Sequence, residues 1–525
     1  MRNNKKWLFA LVLSLPILLF YCAHFFYHDK DRHPSGLIQW EHALYMISAK
    51  EYKTGDAVLL YQYPLDDNNK SPKIFFQPQT FILGYLWKWL DIDPGILLSI
   101  FGLIFTILTL RVATEIIDIL VTPIKYKPLI TILFTWGGGI LAICGLVLHF
   151  TFFKNTGTIS DHLFFLDPGN GWWCLNFGRS LIYPFEAWYH FVFLFAILMV
   201  LRNKFLLASA SMVLLTLSHP YSATELVLII FMWALVEFFY VRSAIIRKKD
   251  ILLISAVLFF HVIYYGIILR QYEVSRIISK QVALDWGYKA WHFVPAYSLV
   301  WLLSFLSIKN IPLLQKHFSS FTARLFFCWG VVAFLLSVHG FAIKPVQPLH
   351  YTRGYVYAGF FLFGLPGIIY LLEQIDNSKR IIYKIVFGVC LLILLSDNLC
   401  WFYYNISEKN SGVVFSQDEQ GLLHFFEQKK ETGWVIGTEK RDDLTSCIQL
   451  YSSFKGWIPH PFLTFNIDSK RTALQHLITD QTIDERWTTT PAYFFMEKDD
   501  TSVARHSLTF PVIYENGSFK VFKIN

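Results

Sequence analysis

Long apolar segments alternate with short polar ones over most of the chain. The first runs from Trp7 to about Tyr27, and no small-residue cleavage motif follows it, which favours a retained membrane anchor over a secretory signal peptide. A helix needs about 20 apolar residues to cross a bilayer. Further segments near that length lie at 94–121, 128–150, 183–201, 204–218, 222–241, 251–271, 290–308, 323–341, 355–373 and 381–404. Together with the anchor, they predict about eleven transmembrane helices.

Basic residues cluster at every second end of these segments. The clusters precede the first segment and follow the second, fourth, sixth, eighth and tenth: Arg2, Lys5 and Lys6; Lys125 and Lys127; Arg202 and Lys204; Arg242, Arg247, Lys248 and Lys249; Lys309 and Lys316; Lys379, Arg380 and Lys384. Cytoplasmic loops of membrane proteins carry an excess of Lys and Arg. The alternation therefore predicts a cytoplasmic N-terminus and an extracytoplasmic tail, with the loops 28–75, 151–182, 272–289 and 342–354 also facing outward.

The tail, residues 405–525, has a different pattern, with more charge and mixed periodicity. Ser416-Gln-Asp-Glu419 is a capping box that opens a predicted helix. Residues 434–437 and 493–496 have the composition of short buried strands. Asn516-Gly517, between two alternating segments, predicts a β-hairpin with a type I′ turn. These signals indicate a small α/β domain.

Composition agrees with the apolar pattern. Hydrophobic residues make up 54% of the chain and charged residues only 16%, whereas a soluble protein has about a quarter charged residues. The predicted fold class is an all-α polytopic membrane bundle with a small C-terminal α/β domain outside the membrane. The predicted domains are 1–404, which includes the first outer loop 28–75, and 405–525. The net charge of +8 is concentrated in short loops, and no nucleic-acid-binding motif is present, so no nucleic acid is expected as a partner.

The first outer loop contains a candidate general base. Trp40, Leu44 and Ile47 recur at the spacing of one helix face. Glu41 and Tyr45 then lie on the neighbouring stripe of an amphipathic helix at the membrane surface. A partly buried carboxylate at that place can accept a proton from an acceptor group, since burial raises its pKa toward the working pH. The alternative is an ordinary solvated carboxylate, which is the more frequent case on such helices.

Four residues in two other outer loops are candidate ligands for an anionic head group. Arg179 and Arg353 each lie directly before a predicted inward-going span, and Lys344 and His350 share the loop of Arg353. The planar guanidinium matches the oxygens of a phosphate, and its charge is permanent. The alternative is that each arginine only extends toward the interface from the end of its span.

A His219-Pro220 pair interrupts the apolar pattern between two short segments. Proline breaks a helix there and leaves backbone carbonyls without partners, which is tolerated only beside protein or a water-filled cavity. His219 is therefore a candidate substrate contact, although the pair also suits a simple turn at the bilayer surface. Asp161, His162 and Asp167 are weak candidates for metal ligands. A divalent metal is thus possible but not supported by the sequence, and no cofactor is predicted.

The whole layout resembles the membrane glycosyltransferases of the GT-C class, particularly bacterial members. The similarity includes an anchor, an outer loop with an acidic residue, a Pro/aromatic segment, a helical bundle and an outward α/β tail. The matching residues are Glu41, Tyr45, Ala49-Lys50, Gly55, Ser71-Pro72-Lys73, Gln77-Pro78, His219-Pro220-Tyr221-Ser222 and His460-Pro461-Phe462-Leu463-Thr464. One departure concerns the acidic motif, because many members have Asp or Asp-Glu where this chain has Trp40-Glu41.

The resemblance implies an inverting glycosyltransferase of the bacterial inner membrane. Its donor would be a polyprenyl-phosphate sugar whose phosphate is held by cations at the outer leaflet, and its acceptor a glycan or a protein. Glu41 would be the base, Arg353 the main phosphate ligand, and Arg179, Lys344, His350, Tyr45 and His219 further contacts. Two alternatives stay open, a transporter or flippase of a lipid-linked glycan and a non-catalytic assembly subunit. The sequence does not identify the sugar or the acceptor.

Overall fold

The computed structural model describes residues 3–67, 71–167, 169, 171–174, 176–284, 290–506 and 508–525. Arg2, one of the residues used for the topology, lies outside the described residues. Contacts divide the chain into two compact units. The membrane unit consists of Met1–Phe20, Phe101–Ile267 and Ala283–Glu408, and the loop–tail unit of Tyr21–Ile100, Ile268–Val282 and Lys409–Asn525. That residues 1–404 and 405–525 are separate domains stays a prediction.

The membrane unit is helical. The α-helices that lie wholly or partly in it are Asn3–Leu13, Leu15–Phe26, Pro94–Leu120, Lys127–Trp136, Leu141–Leu148, Ile159–His162, Phe177–Ser180, Pro184–Leu201, Phe205–Ser218, Pro220–Leu235, Lys248–Ile263, Ala290–Lys309, Ile311–His317, Ser320–Ser337, Tyr355–Phe363, Leu365–Asn377 and Ile381–Ser407. Short 3-10 helices lie at Ile124–Tyr126, His339–Phe341 and Pro348–Thr352, and π-helical turns at His149–Phe153, Val236–Tyr240 and Tyr264–Ile268.

The predicted multi-pass architecture is confirmed. Among the described residues, 7 helices are long and apolar enough to cross a membrane, and the count rises to 10 if each of three bent helix pairs is one span. The bent pairs are Asn3–Leu13 with Leu15–Phe26, Ile124–Trp136 with Leu141–Phe153, and Pro348–Phe363 with Leu365–Asn377. Phe205–Ser218 is a shorter apolar helix. Every predicted segment coincides with one of these elements, and the chain is an integral membrane protein.

The bend at Gly137-Gly138-Gly139 shows how a broken span satisfies its backbone. The amide of Gly138 donates to the carbonyl of Leu394 at 2.7 Å, and the amide of Ile140 donates to that of Pro295 at 2.7 Å. A side chain at Gly139 would lie only 2.1 Å from the Pro295 carbonyl oxygen. Glycine is therefore required there, because the broken backbone must approach a neighbouring helix closely to find its partners.

Ion pairs join several of the basic clusters at one end of the membrane unit. Lys6 contacts Asp118 at 2.6 Å and Glu115 at 3.3 Å. Lys127 contacts the other oxygen of Asp118 at 2.6 Å, and Arg202 contacts Glu115 at 2.6 Å. These residues precede the first span, end the second, begin the third and end the fourth. These basic clusters thus lie together at one end of the bundle, while the alternation over all loops and the assignment of this end to the cytoplasm stay predictions.

The loop–tail unit is mixed α/β. Its α-helices that lie outside the spans are His42–Thr54, Pro78–Leu90, Glu273–Gln281, Gln417–Glu427, Asp442–Tyr451, Ile467–Thr479 and Thr501–Ala504. Its larger sheet has the strand order Lys455–Gly456, Trp434–Gly437, Ala492–Glu497, Phe519–Lys523 and Val512–Glu515. Trp434–Gly437 runs parallel to both neighbours, and the last two strands are antiparallel. A second, two-stranded sheet pairs Arg32–Pro34 of the first outer loop with Val414–Ser416.

The local predictions for the tail are largely confirmed. Ser416 and Glu419 form the capping box of the helix Gln417–Glu427, and both buried strands and the hairpin are present. The turn type was predicted wrongly, since Gly517 does not have the positive φ that type I′ requires. Instead, the side-chain oxygen of Asn516 accepts from the amides of Ser518 at 3.2 Å and Phe519 at 2.8 Å.

Candidate functional site

Glu41 lies in the loop–tail unit, directly before the helix His42–Thr54. Its side chain is 60% exposed, so the partial burial that we expected to raise its pKa is not observed. Its carboxylate Oε1 lies 4.0 Å from Nε2 of His460. The preceding residue, Trp40, packs its ring 5.9 Å from that of Phe415. An apolar contact therefore occupies the position at which GT-C members often have an aspartate.

The backbone around His460 fixes which ring nitrogen faces Glu41. Nδ1 accepts from the amides of Phe462 at 3.0 Å and Leu463 at 3.1 Å. Since amides can only donate, Nδ1 must be unprotonated. Burial lowers the pKa of His460 to about 4, so the ring is neutral near pH 7 and carries its proton on Nε2. The protonated ring nitrogen is thus the one that lies 4.0 Å from Oε1 of Glu41.

Two other residues of the first-loop motif, Lys50 and Gly55, make structural contributions. Lys50 donates its ammonium group to the carbonyls of Gln449, at 2.8 Å, and Ser452, at the C-terminal end of the helix Asp442–Tyr451. Burial lowers the pKa of Lys50 to about 8. Gly55 ends the helix His42–Thr54 with φ of 87°, a conformation that favours glycine. Tyr45 is half-buried on the same helix, so it shares the element of the candidate base.

Arg353, in the membrane unit, forms a buried ion pair with Glu186 that the sequence does not predict. Its Nη1 donates to Oε1 of Glu186 at 2.7 Å, and the side chains of Arg353 and Glu186 are only 12% and 3% exposed. The guanidinium carbon lies 4.4 Å from the ring centre of Trp173 and 5.2 Å from that of Tyr183. The aromatic faces and the carboxylate hold the guanidinium in one orientation.

Histidines and tyrosines extend from this ion pair through stacked rings. His219 lies 5.9 Å from His350 between ring centres, and Tyr221 stacks on His350 at 4.6 Å. Nδ1 of His219 lies 3.0 Å from the hydroxyl of Ser222, which also accepts from Tyr355 at 2.9 Å. The break at His219 is thus part of an ordered polar cluster that includes His350, and Arg353 lies in the same unit.

Arg179 has a different environment, and it is almost completely buried. Its side chain is 1% exposed, and its Nη2 donates to the carbonyl of Cys174 at 3.3 Å. Nε and Nη1 have no hydrogen-bond partner among the described residues. The guanidinium carbon lies 5.4 Å from the ring centre of Phe164 and 5.8 Å from that of Trp401. The chain thus buries a guanidinium that still has donors to offer, which suits an anionic ligand.

Two carboxylates that interact electrostatically with Arg179, those of Asp167 and Asp397, are held by backbone amides. Asp167 accepts from the amides of Gly171 at 2.7 Å and Cys174 at 2.6 Å. Asp397 accepts from the amides of Ala142 at 2.8 Å and Leu141 at 3.2 Å. Neither carboxylate forms an ion pair with Arg179 within 4.0 Å among the described residues, so both act on the guanidinium only through longer-range electrostatics.

The remaining candidate residues are Lys344 and the weak metal candidates Asp161, His162 and Asp167. Lys344 is exposed, unlike Arg353. The weak metal candidates have structural contacts: Asp161 caps its own helix through Thr158, and Asp167 orders the loop after it. Among the described residues, no group of three or more His, Cys, Asp or Glu side chains could hold a metal ion. The expectation that the protein needs no cofactor stays a prediction.

Of the two contacts that the sequence does not predict, only one has a signal in the sequence. Glu186 follows Tyr183-Pro184 in the first turn of an apolar span, and an ionisable residue inside a span is a functional candidate by default. His460 belongs to a motif of the resemblance, but nothing in the sequence connects it with Glu41, which lies more than four hundred positions away.

Comparison with known proteins identifies the fold. No protein-family model and no curated protein matches the sequence. The chain is similar to the crystal structure of ArnT from Cupriavidus metallidurans in the apo state, with a TM-score of 0.52 and 12% identity, over 98% of this chain and 97% of that chain. It also matches ArnT bound to undecaprenyl phosphate, with a TM-score of 0.49 and 11% identity, over 100% and 99% of the two chains. ArnT is a GT-C glycosyltransferase, so the predicted GT-C-like fold is confirmed.

Proposed function

We propose that this chain is a membrane glycosyltransferase that moves a sugar from a polyprenyl-phosphate donor to an extracytoplasmic glycan or protein. A hydroxyl or amide of the acceptor attacks the anomeric carbon, and the bond from that carbon to the phosphate oxygen breaks with inversion. Polyprenyl phosphate leaves with the electron pair, and Glu41 takes the proton of the acceptor. Because the phosphate is a good leaving group, positioning and one base can supply the catalysis.

The observation that carries the proposal is the buried guanidinium of Arg179 in a chain with the GT-C fold. Two of its nitrogens have no partner among the described residues, and donors in a dry environment bind an anion more strongly than donors in water. Arg353 is a second cation, although Glu186 already offsets its charge at 2.7 Å. We therefore assign the donor phosphate to Arg179 first and to Arg353 second. Lys344, which is exposed, is the weakest of these candidates.

Specific observations favour the two alternative functions. A flippase or transporter often has broken helices and buried charges within the spans. Here the bend at residues 137–139 and Glu225, which is 0% exposed with both carboxylate oxygens unpartnered among the described residues, fit that description. Trp40 in place of an aspartate fits a non-catalytic subunit.

One assay separates the three functions. The purified full-length protein is incubated with undecaprenyl phosphate carrying radiolabelled sugars, together with a membrane extract that supplies acceptors. Release of undecaprenyl phosphate with transfer of the label supports the glycosyltransferase. Movement of the intact lipid across liposomes without release supports the flippase. The absence of both, for a protein that is folded and monodisperse, supports the subunit.

A prediction concerns His460, which faces Glu41. Replacing His460 with Asn keeps an oxygen that can accept from the amides of Phe462 and Leu463 but removes the N–H of the nitrogen that faces Glu41. We expect transfer to fall about two- to fivefold, since Nε2 lies 4.0 Å from the carboxylate, beyond hydrogen-bond distance, and exposed electrostatic contacts contribute about 0.5–1 kcal/mol. The measurement is the initial rate of undecaprenyl phosphate release at saturating donor.

The matched control is His460→Gln, whose longer side chain brings an amide N–H close to the position of Nε2. It should retain more activity than His460→Asn at the same melting temperature. Equal rates for the two variants and the unmodified protein would show that His460 has only a structural role.

A further inference from the structure

A cavity of about 550 Å³ lies at the basic end of the membrane unit. It opens where the helices Phe205–Ser218 and Lys248–Ile263 begin. The residues of its lining that matter here are Lys204, Arg247, Lys249, Asp250, Leu206 and Leu253. Charged and apolar side chains thus meet in one recess at the ends of two apolar helices.

The cavity carries an excess of positive charge. Nε of Arg247 donates to Oδ2 of Asp250 at 3.1 Å, so these two charges offset each other. Lys204 and Lys249 are exposed, and neither has a carboxylate within 4.0 Å in the part of the chain that the structure describes. A ligand that fills the recess should therefore carry a negative charge to complement the two ammonium groups.

The surroundings of the cavity are those of a lipid-facing surface. Leu206 is 71% exposed and Leu252 is 70% exposed, directly beside the lysines. Lys248–Gln271 is a candidate span, and only 22% of its most apolar 18-residue stretch is buried inside the protein. The recess thus lies where an apolar helix surface changes into a charged one, which is the depth of lipid head groups. A ligand with an anionic head and an apolar tail matches both parts.

We propose that this cavity binds an anionic phospholipid, with Lys204 and Lys249 contacting its phosphate and Leu206 and Leu253 its acyl chains. Basic recesses between transmembrane helices recognise anionic head groups in this way, and each Lys or Arg near the surface contributes about 1 kcal/mol. The stems of the two lysines can lie along the apolar wall while their ammonium groups reach the head group. This site does not depend on the proposed function.

The test is native mass spectrometry of the purified full-length protein titrated with phosphatidylglycerol and, separately, with phosphatidylcholine. We expect phosphatidylglycerol to bind more tightly. The double variant Lys204→Ala/Lys249→Ala should bind it about 25-fold more weakly, since about 1 kcal/mol for each charge is about fivefold. Lys204→Arg/Lys249→Arg, which keeps the charges, should restore binding.

The matched control is Arg242→Ala/Lys248→Ala, which removes two basic residues of the same loop that do not line the cavity. It should leave phosphatidylglycerol binding within twofold of the unmodified protein. Equal losses in the two double variants would overturn the proposal, because the effect would then come from overall charge. Equal affinity for the two lipids, or full displacement of the lipid by inorganic phosphate, would also overturn it.

Discussion

Replacing Glu41 with Gln is expected to lower sugar transfer about 10²–10⁴-fold, which is the usual contribution of a general base. Gln has nearly the shape of Glu but cannot take a proton from the acceptor. Glu41 is 60% exposed, and no side-chain hydrogen bond of Glu41 caps the helix that follows it. The substitution should therefore leave folding and membrane insertion unchanged. The measurement is the rate of undecaprenyl phosphate release by the purified variant.

Glu51→Gln is the matched control, because the same chemical change is made within the helix His42–Thr54, which Glu41 directly precedes. It should keep transfer within a few-fold of the unmodified protein. Equal activity of Glu41→Gln and the unmodified protein would remove Glu41 as the base. Loss of activity in both variants would indicate a general effect of the helix on the fold, and a different residue would then have to be sought.

The apolar spans could be predicted from sequence because membrane insertion imposes one strong requirement. A segment that crosses the bilayer must be apolar over about 20 residues and must satisfy its backbone internally. The bends could not be predicted in the same way. Gly137-Gly138-Gly139 reads as part of one apolar segment, and the carbonyls that satisfy its broken backbone, those of Pro295 and Leu394, come from distant helices.

The short-range predictions in the tail succeeded where the signal is local. The capping box at Ser416 involves only four consecutive residues. The hairpin was found from Asn516-Gly517, but its turn type depends on which residue accepts the free amides, and here that is the side chain of Asn516.

The candidate site was harder to predict because its pairs come from distant parts of the chain. The position of Arg353 at the end of a span predicts a phosphate ligand, yet the sequence offers no sign that Glu186 contacts it at 2.7 Å. Arg179 was ranked below Arg353, because the sequence alone does not reveal which guanidinium has unused donors. Burial and partners decide this order, and both are properties of the folded chain.

Removing either partner of the Glu186–Arg353 ion pair is expected to destabilise the folded protein. Variants of this pair can also distinguish an effect on folding from an effect on donor binding. Breaking a buried ion pair by removing one partner costs about 3–5 kcal/mol, since the other charge stays buried without compensation. Glu186→Gln and Arg353→Gln should therefore each lower the free energy of unfolding by about that amount. The measurement is denaturant or thermal unfolding of the purified protein in detergent.

The double variant Glu186→Gln/Arg353→Gln should lose far less stability than the sum of the two single variants, because two neutral amides can hydrogen-bond where the charges were. If Arg353 also contacts the donor phosphate, this stable double variant should still need a higher donor concentration to reach half of its maximal transfer rate. Full recovery of both stability and donor affinity would make Arg353 a purely structural residue. The donor phosphate would then be left to Arg179, whose two unpartnered nitrogens do not depend on this pair.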